Sequence, residues 1–280
     1  MRRIASTDEG TGLYRQIGGE KLWQLVREFY QRMFSDPILC FLFVGRDRHR
    51  FARSEWEFTA RRLGAPITYS GRSLSAAHRN SLILEGHFYR RLMLLDQVLH
   101  HHGAPIAIRK EWLRQNLELQ PVIKLSIDRT ALPGRYGLFI GSPEQRQNWR
   151  RDGLDDVLMR IEDWIWRQDQ QAHANSDEAL ERYVRHRIWQ ITTNLLEFQF
   201  DQAVSVVVHL TRDVAFLSAP LGRDAVRALV VALTGVAPRM TEILWELIGG
   251  PALVYIQPYP NPYVPLDRYE PTEAWSVALE

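Results

Sequence analysis

Apolar residues recur at helical spacing along most of this chain. Leu22, Leu25, Val26, Phe29, Met33 and Phe34 form one stripe, which a Ser35-Asp36-Pro37 break ends. The pattern predicts further helices over 48–63, stopped by Gly64 and Pro66, over 85–101, stopped by Gly103 and Pro105, and over 108–123. Between them 65–76 is looser, with Pro66, Gly71 and three serines. The helical period breaks over 126–141, the predicted domain boundary. Ser142-Pro143-Glu144-Gln145 then opens a new helix, with serine as cap, proline in the first turn and Gln145 closing a capping box. Helical patterns follow over 153–170, from 177 to about 218, and over 223–247, with Asn175 and Glu178 supplying a second cap. The chain ends in an extended Pro/Tyr-rich arm, 258–280, with five prolines between 258 and 271. The predicted fold class is all-α.

Composition adds a few limits. At 280 residues there is room for two domains, predicted as 1–125 and 142–257, with 126–141 as linker. The formal net charge of +2 does not suggest a general nucleic-acid binder, and no nucleic-acid partner is expected. Lysine occurs only at Lys21, Lys110 and Lys124, so the cations are almost all arginine, the side chain suited to buried ion pairs and interfaces. Base composition of the genome explains such a bias equally well. A single cysteine, Cys40, excludes an internal disulfide framework and any cysteine zinc site. The N-terminus has no apolar stretch behind its arginines and does not read as a secretory signal. The most apolar window, 203–221, carries His209, Arg212 and Asp213 and reads as a buried helix rather than a membrane span. A cytoplasmic protein is the expectation.

Several histidines invite a chemical reading. On spacing alone His78 is more often a surface histidine of a polar loop than a metal ligand. His100-His101-His102 cannot converge on one ion while the helix persists, because consecutive side chains point about 100° apart. A solvated helix end is the better reading. Arg46, Arg48, His49, Arg50 and Arg53 form a charged run that suits either solvent or the carboxylates of a cofactor. His173, His186 and His209 are lone histidines, which seldom bind a second cofactor.

The stretches 13–51 and 61–92 carry ordered motifs: Gly18-Gly19; Phe29-Tyr30 followed by Ser35-Asp36-Pro37; Phe43; Leu63-Gly64-Ala65-Pro66 with Tyr69-Ser70-Gly71; and Ala77-His78 with His87-Phe88 nine residues on. With these the chain resembles the truncated haemoglobins, group I above all, over about 12–124. The resemblance implies a two-over-two helical globin holding haem b, with His78 as proximal iron ligand and Tyr30 as distal hydrogen-bond donor to a diatomic gas (dioxygen, nitric oxide or carbon monoxide). It also puts Phe43 against the haem face and Phe51 at the position that gates access to the iron. His87 is expected to be structural, starting its helix.

Here the chain departs from the family. Glu55 stands where many members have glutamine, Thr59 where many have an aromatic, Arg91 where the family has an apolar residue or tryptophan, and Ala65 replaces a motif glycine. An ionised Glu55 only accepts hydrogen bonds and needs a cationic partner to sit inside. Arg91 is one candidate, and an outward turn of either residue is the alternative.

The second half has no catalytic signature and resembles no family. Its features are Trp149, Trp164, Trp166, Trp189, Trp245 and Trp275, the apolar stripe from Ile188 to Val208, and the arm. Stripes of this kind are usually core. The tryptophans and arm suggest a docking surface for a protein partner or a second copy, with the arm wrapped over its own helices as the alternative. Two functions follow: a gas-binding haem protein acting as a sensor or partner-docked redox subunit, or a globin-fold structural subunit of a larger assembly. Nitric oxide dioxygenation would need a separate reductase, since no flavin or nicotinamide motif is present.

Overall fold

The computed structural model describes residues 12–79, 81–123, 140–171, 175–214 and 219–272. The first eleven residues, nearly all of the predicted linker, His173, Trp275 and the last eight residues of the arm lie outside them. The described residues form helices, 3-10 turns and loops, without strands, as the periodicity predicts. None of the helices is long and apolar enough to cross a membrane. Contacts divide the chain into two compact units, 12–36 with 42–123, and 37–41 with 140–272.

In the first unit α1 (Gly12–Ile17) leads into α2 (Gly19–Phe34) through Gly18, whose φ of 84° lies in the left-handed region that glycine enters without strain. α2 buries Leu22, Leu25, Val26, Phe29 and Met33 of the predicted stripe together with Tyr30, and leaves Phe34 half-buried. It packs on α3 (Arg48–Arg62), which is capped by the Asp47 side chain accepting from the Arg50 N–H and buries Ala52, Trp56, Thr59 and Ala60.

Then comes α4 (Leu74–His78), a short helix capped by Ser73. The sequence suggested irregular chain there, because one turn of LSAAH is too short to show a period. α5 (Glu85–His101) packs on α2 and on α6 (Ile106–Leu117), and α7 (Gln120–Ile123) packs on α4. The pairs α2–α3 and α5–α6 are the expected two-over-two arrangement. Arg90 of α5 places Nε and Nη2 at 2.9 and 2.7 Å from Asp36 Oδ2, both side chains almost wholly buried.

The second unit begins with α8 (Pro143–Arg151), whose Ser142 and Gln145 form the predicted reciprocal capping box. α9 (Leu154–Gln170) follows. Asp177, not Asn175, caps α10 (Glu178–Leu196), its carboxylate accepting from the Leu180 N–H at 2.9 Å. The pattern over 177–218 is two helices, α10 and α11 (Phe200–Val214), parted where Phe198 takes a φ of 59°. No glycine or proline marks that turn, so spacing alone does not show it. The pattern over 223–247 also splits, into α12 (Arg223–Leu233) and α13 (Pro238–Leu247), and here Gly235 and Pro238 are the signal.

Among these helices α12 is the most deeply buried, from Ala228 to Leu233 without a break. Ile38 and Cys40 join the same core, Cys40 Sγ donating to the Leu195 carbonyl at 3.2 Å. Trp149, Trp164 and Trp245 belong to this core, which removes them from any docking surface, whereas Trp166 and Trp189 are exposed.

The arm is not free. Leu266 and Tyr269 are buried, Leu266 N–H donates to Glu181 Oε1 at 2.7 Å, and Tyr269 O–H donates to the Pro258 carbonyl. Over its described part the arm wraps back over its own unit, because its apolar side chains find pockets there while its prolines keep it from becoming helix.

Candidate functional site

Helix phase decides which residues of α3 meet. Phe51, Glu55 and Phe58, at i, i+4 and i+7, share one half-buried face, while Ala52, Trp56 and Thr59 are buried. Glu55 therefore points inward, and so does Arg91 of α5. Arg91 Nη2 donates to Glu55 Oε1 at 3.0 Å, with about a sixth of each side chain exposed. Two hydroxyls reach the same carboxylate, Thr59 to Oε1 and Tyr30 to Oε2, both at 3.3 Å. The second fork of Arg91 donates to Asn116 Oδ1 at 2.8 Å, and Asn116 Nδ2 is held by the Trp112 carbonyl. The guanidinium lies 5.1 Å over the Phe29 ring, a cation–π contact that further fixes its plane.

Tyr30 is buried, and its phenol pKa is pushed well above the ordinary value, first by burial and then by the Glu55 charge. It stays a protonated donor. Around it stand Phe29, Phe34, Phe43 and Phe51, ring centroids 5.7–6.4 Å from its own, and Phe34 stacks on Phe43 at 4.3 Å. The predicted Tyr30, Phe43, Phe51, Glu55 and Arg91 thus come together in one cluster.

His78 ends α4, half-buried, with the charges of Arg91 and Glu55 bearing on its ring. Its Nδ1 sits 2.8 Å from the Leu74 carbonyl, which can only accept. Nδ1 therefore carries the hydrogen, and Nε2 keeps its lone pair. Burial first, and the Arg91 charge after it, hold the pKa below the usual histidine value, so the ring is neutral near pH 7. His87 differs. It is fully buried, burial pushes its pKa down to about 3, and its Nδ1 accepts from the Leu84 N–H at the start of α5.

Several other histidines and arginines lie elsewhere. His102 Nε2 lies 2.7 Å from Glu28, His100 meets Arg109, His209 bonds the Ser205 carbonyl, and His186 stacks on Trp189. Arg46, Arg48, His49, Arg50 and Arg53 are exposed, Arg53 beside Glu57. Asn116 was missed by the sequence reading. Its signal was present: it continues the buried i, i+4, i+8 row of Ile108 and Trp112, where a lone amide requires a polar partner.

The bacterial-like globin family model matches residues 12–120. The group 1 truncated hemoglobin GlbN of Mycolicibacterium paratuberculosis is 32% identical over 116 residues, which cover 41% of this chain and 85% of that protein. The chain also matches leucine–tRNA ligases. That of Herpetosiphon aurantiacus is 27% identical over 154 residues, and that of a Synechococcus strain 29% over 158, each match covering 48% of this chain. The chain spans less than a fifth of the length of those ligases (19% and 18%). Matched over nearly the full length of a truncated haemoglobin, the chain belongs, through residues 12–120, to the bacterial-like globins.

Proposed function

We propose that the first unit binds haem b through Nε2 of His78 and takes up a diatomic gas beside Tyr30. The observation that carries this reading is the His78 tautomer: a neutral ring with Nδ1–H committed to a backbone carbonyl and Nε2 available, as an iron ligand requires. The surroundings suit a flat apolar molecule. Phe51, Phe58, Leu74, Leu82, Ile83 and Leu84, from α3, α4 and the approach to α5, are left half-buried in an otherwise packed unit. Bound haem supplies the iron that coordinates the gas.

This chain's own residues set the polarity beside it. Glu55, saturated by Arg91, Thr59 and Tyr30, offers no proton to a ligand; Tyr30 does. At 3.3 Å its bond to Glu55 is long for O–H···O, so the hydroxyl can turn to a better acceptor. A red-brown purified chain with a Soret band tests the reading. A colourless one that fails to take up added haem supports a structural globin-fold subunit instead.

The finer expectation is that Tyr30→Phe speeds dioxygen release about tenfold, the worth of one hydrogen bond to a strongly polar acceptor. Glu55→Gln, which removes the competing carboxylate and adds an amide donor, slows it. Stopped-flow release rates decide, and a Tyr30→Phe rate equal to the parent's would assign the tyrosine to Glu55 alone.

For the second unit the ligase likeness favours a further reading, an RNA-contacting domain that docks the globin onto tRNA. We assign that likeness to the residues after 120, outside the globin stretch. α10 offers a suitable face: Arg182, His186 and Trp189 at i, i+4 and i+7 are exposed, and His186 stacks on Trp189 at 5.6 Å. Exposed aromatics flanked by arginine stack bases and pair phosphates. Labelled tRNA should bind at low salt, and Trp189→Ala should weaken binding about tenfold. Anisotropy unchanged by the parent chain would return this unit to a protein-docking role.

A further inference from the structure

A second cleft opens on the first unit among α2, the start of α3 and the end of α5, with a volume of about 630 Å³. It lies apart from the Tyr30–Glu55–Arg91 cluster, sharing none of its residues. Its size falls within the roughly 300–1,000 Å³ that small-molecule sites occupy. Its lining residues are mostly polar or cationic, with their aliphatic stems exposed along the walls. Arg27 and Arg32 come from α2, Arg48 and His49 from the first turn of α3, and His102 from the end of α5.

The charge balance in this cleft is specific. Glu28 is the one carboxylate among the described lining residues, and it is already engaged by Arg32 at 2.6 Å and His102 at 2.7 Å. Those contacts hold its pKa below the ordinary carboxylate value despite some burial. Arg27 and Arg48, on two different helices, have no carboxylate partner among the described residues. Arg27 rests beside the Trp23 ring, 6.0 Å away, which steadies its stem without neutralising it. Gln24, Gln31 and Ser35 add neutral donors along the same wall.

Two unneutralised guanidinium groups on separate walls match an anion with charge at more than one point, and their planar forks match phosphate oxygens. Ala52 is the one apolar side chain among the described lining residues. We propose that this cleft binds a small molecule carrying two or three linked phosphates, such as a nucleoside diphosphate or triphosphate. The first turn of α3 adds Arg48 and His49 to this wall, while its helix end is already taken by the Asp47 carboxylate.

Calorimetric titration of the full chain with pyrophosphate, and separately with magnesium-free ATP, tests this. The parent should bind both. The Arg27→Glu/Arg48→Glu chain should bind about tenfold to a hundredfold more weakly, the loss of two charge-assisted contacts, with its helical circular dichroism retained. An Arg61→Glu/Arg160→Glu chain, carrying the same charge change at exposed positions outside the cleft, should bind like the parent. Three results would each overturn the proposal: no pyrophosphate binding by the parent, equal weakening in the control chain, or unchanged binding by the Arg27→Glu/Arg48→Glu chain.

Discussion

The His78→Gly chain should purify without the Soret band of the parent and regain it when free imidazole is added. The physical reason lies in how α4 is built. Ser73 caps it, Leu74 presents its carbonyl to Nδ1, and the ring keeps a fixed tautomer with Nε2 available. Removing the side chain removes the proposed iron ligand but little of the fold, because α4 buries no residue completely. Losing a half-buried side chain costs about 1 kcal/mol, and glycine within a helix up to about 1 kcal/mol more. The backbone should therefore persist with a hole that imidazole fills. His87→Gly gives the contrast: a fully buried ring is lost from the start of α5, so it should melt earlier while keeping the Soret band once folded.

Acid gives an independent measure. Because burial lowers the folded pKa of His78, its ring stays neutral down through the ordinary value of 6.5, and protonation competes only below it. Retention of the spectrum should be flat above that pH and decline beneath it. A Soret band that survives His78→Gly and vanishes with His87→Gly would reverse the assignment of the two histidines.

The parts of this site that sequence made legible are those carried by spacing. Tyr30 completes the α2 stripe, and Phe51, Glu55 and Phe58 share a face by helical arithmetic. What spacing leaves open is whether a charge at Glu55 or Arg91 turns in or out. The answer depends on a partner on another helix, and neither the α3 nor the α5 period contains the other. Asn116 completes the pair from a third helix. The breaks at Phe198 and around Gly235 show the same division. Gly235 and Pro238 announce a turn by their chemistry, whereas Phe198 enters the left-handed region in a local cap, with Gln199 N–H donating to the Asn194 carbonyl, that no glycine advertises. The short α4 escaped notice because one helical turn is below the length at which periodicity becomes visible.

Truncation after Gln257 should produce the other large effect, and it separates a structural arm from a docking arm. The removed segment includes Leu266 and Tyr269, 2% and 9% exposed. Burying a leucine side chain is worth about 1.5–3 kcal/mol, and the tyrosine adds a comparable amount. The arm also satisfies groups it leaves behind. Glu181 is buried and accepts the Leu266 N–H, Ser176 bonds Asp267, and Gln257 exchanges hydrogen bonds with Thr272. A buried acceptor stripped of its donor costs about 1–3 kcal/mol more. The total, roughly 5 kcal/mol or above, is a large part of the stability of an ordinary domain. At about 2–4 °C per kcal/mol for a unit of this size, the second unit should melt some 10–20 °C lower. The haem spectrum should be unchanged, since no residue of the Tyr30–His78 site belongs to the arm. Leu266→Ala should reproduce about half of the shift without altering chain length. If the truncated chain instead melts like the parent while its light-scattering mass falls, the arm's energy is spent on a partner copy rather than on its own helices.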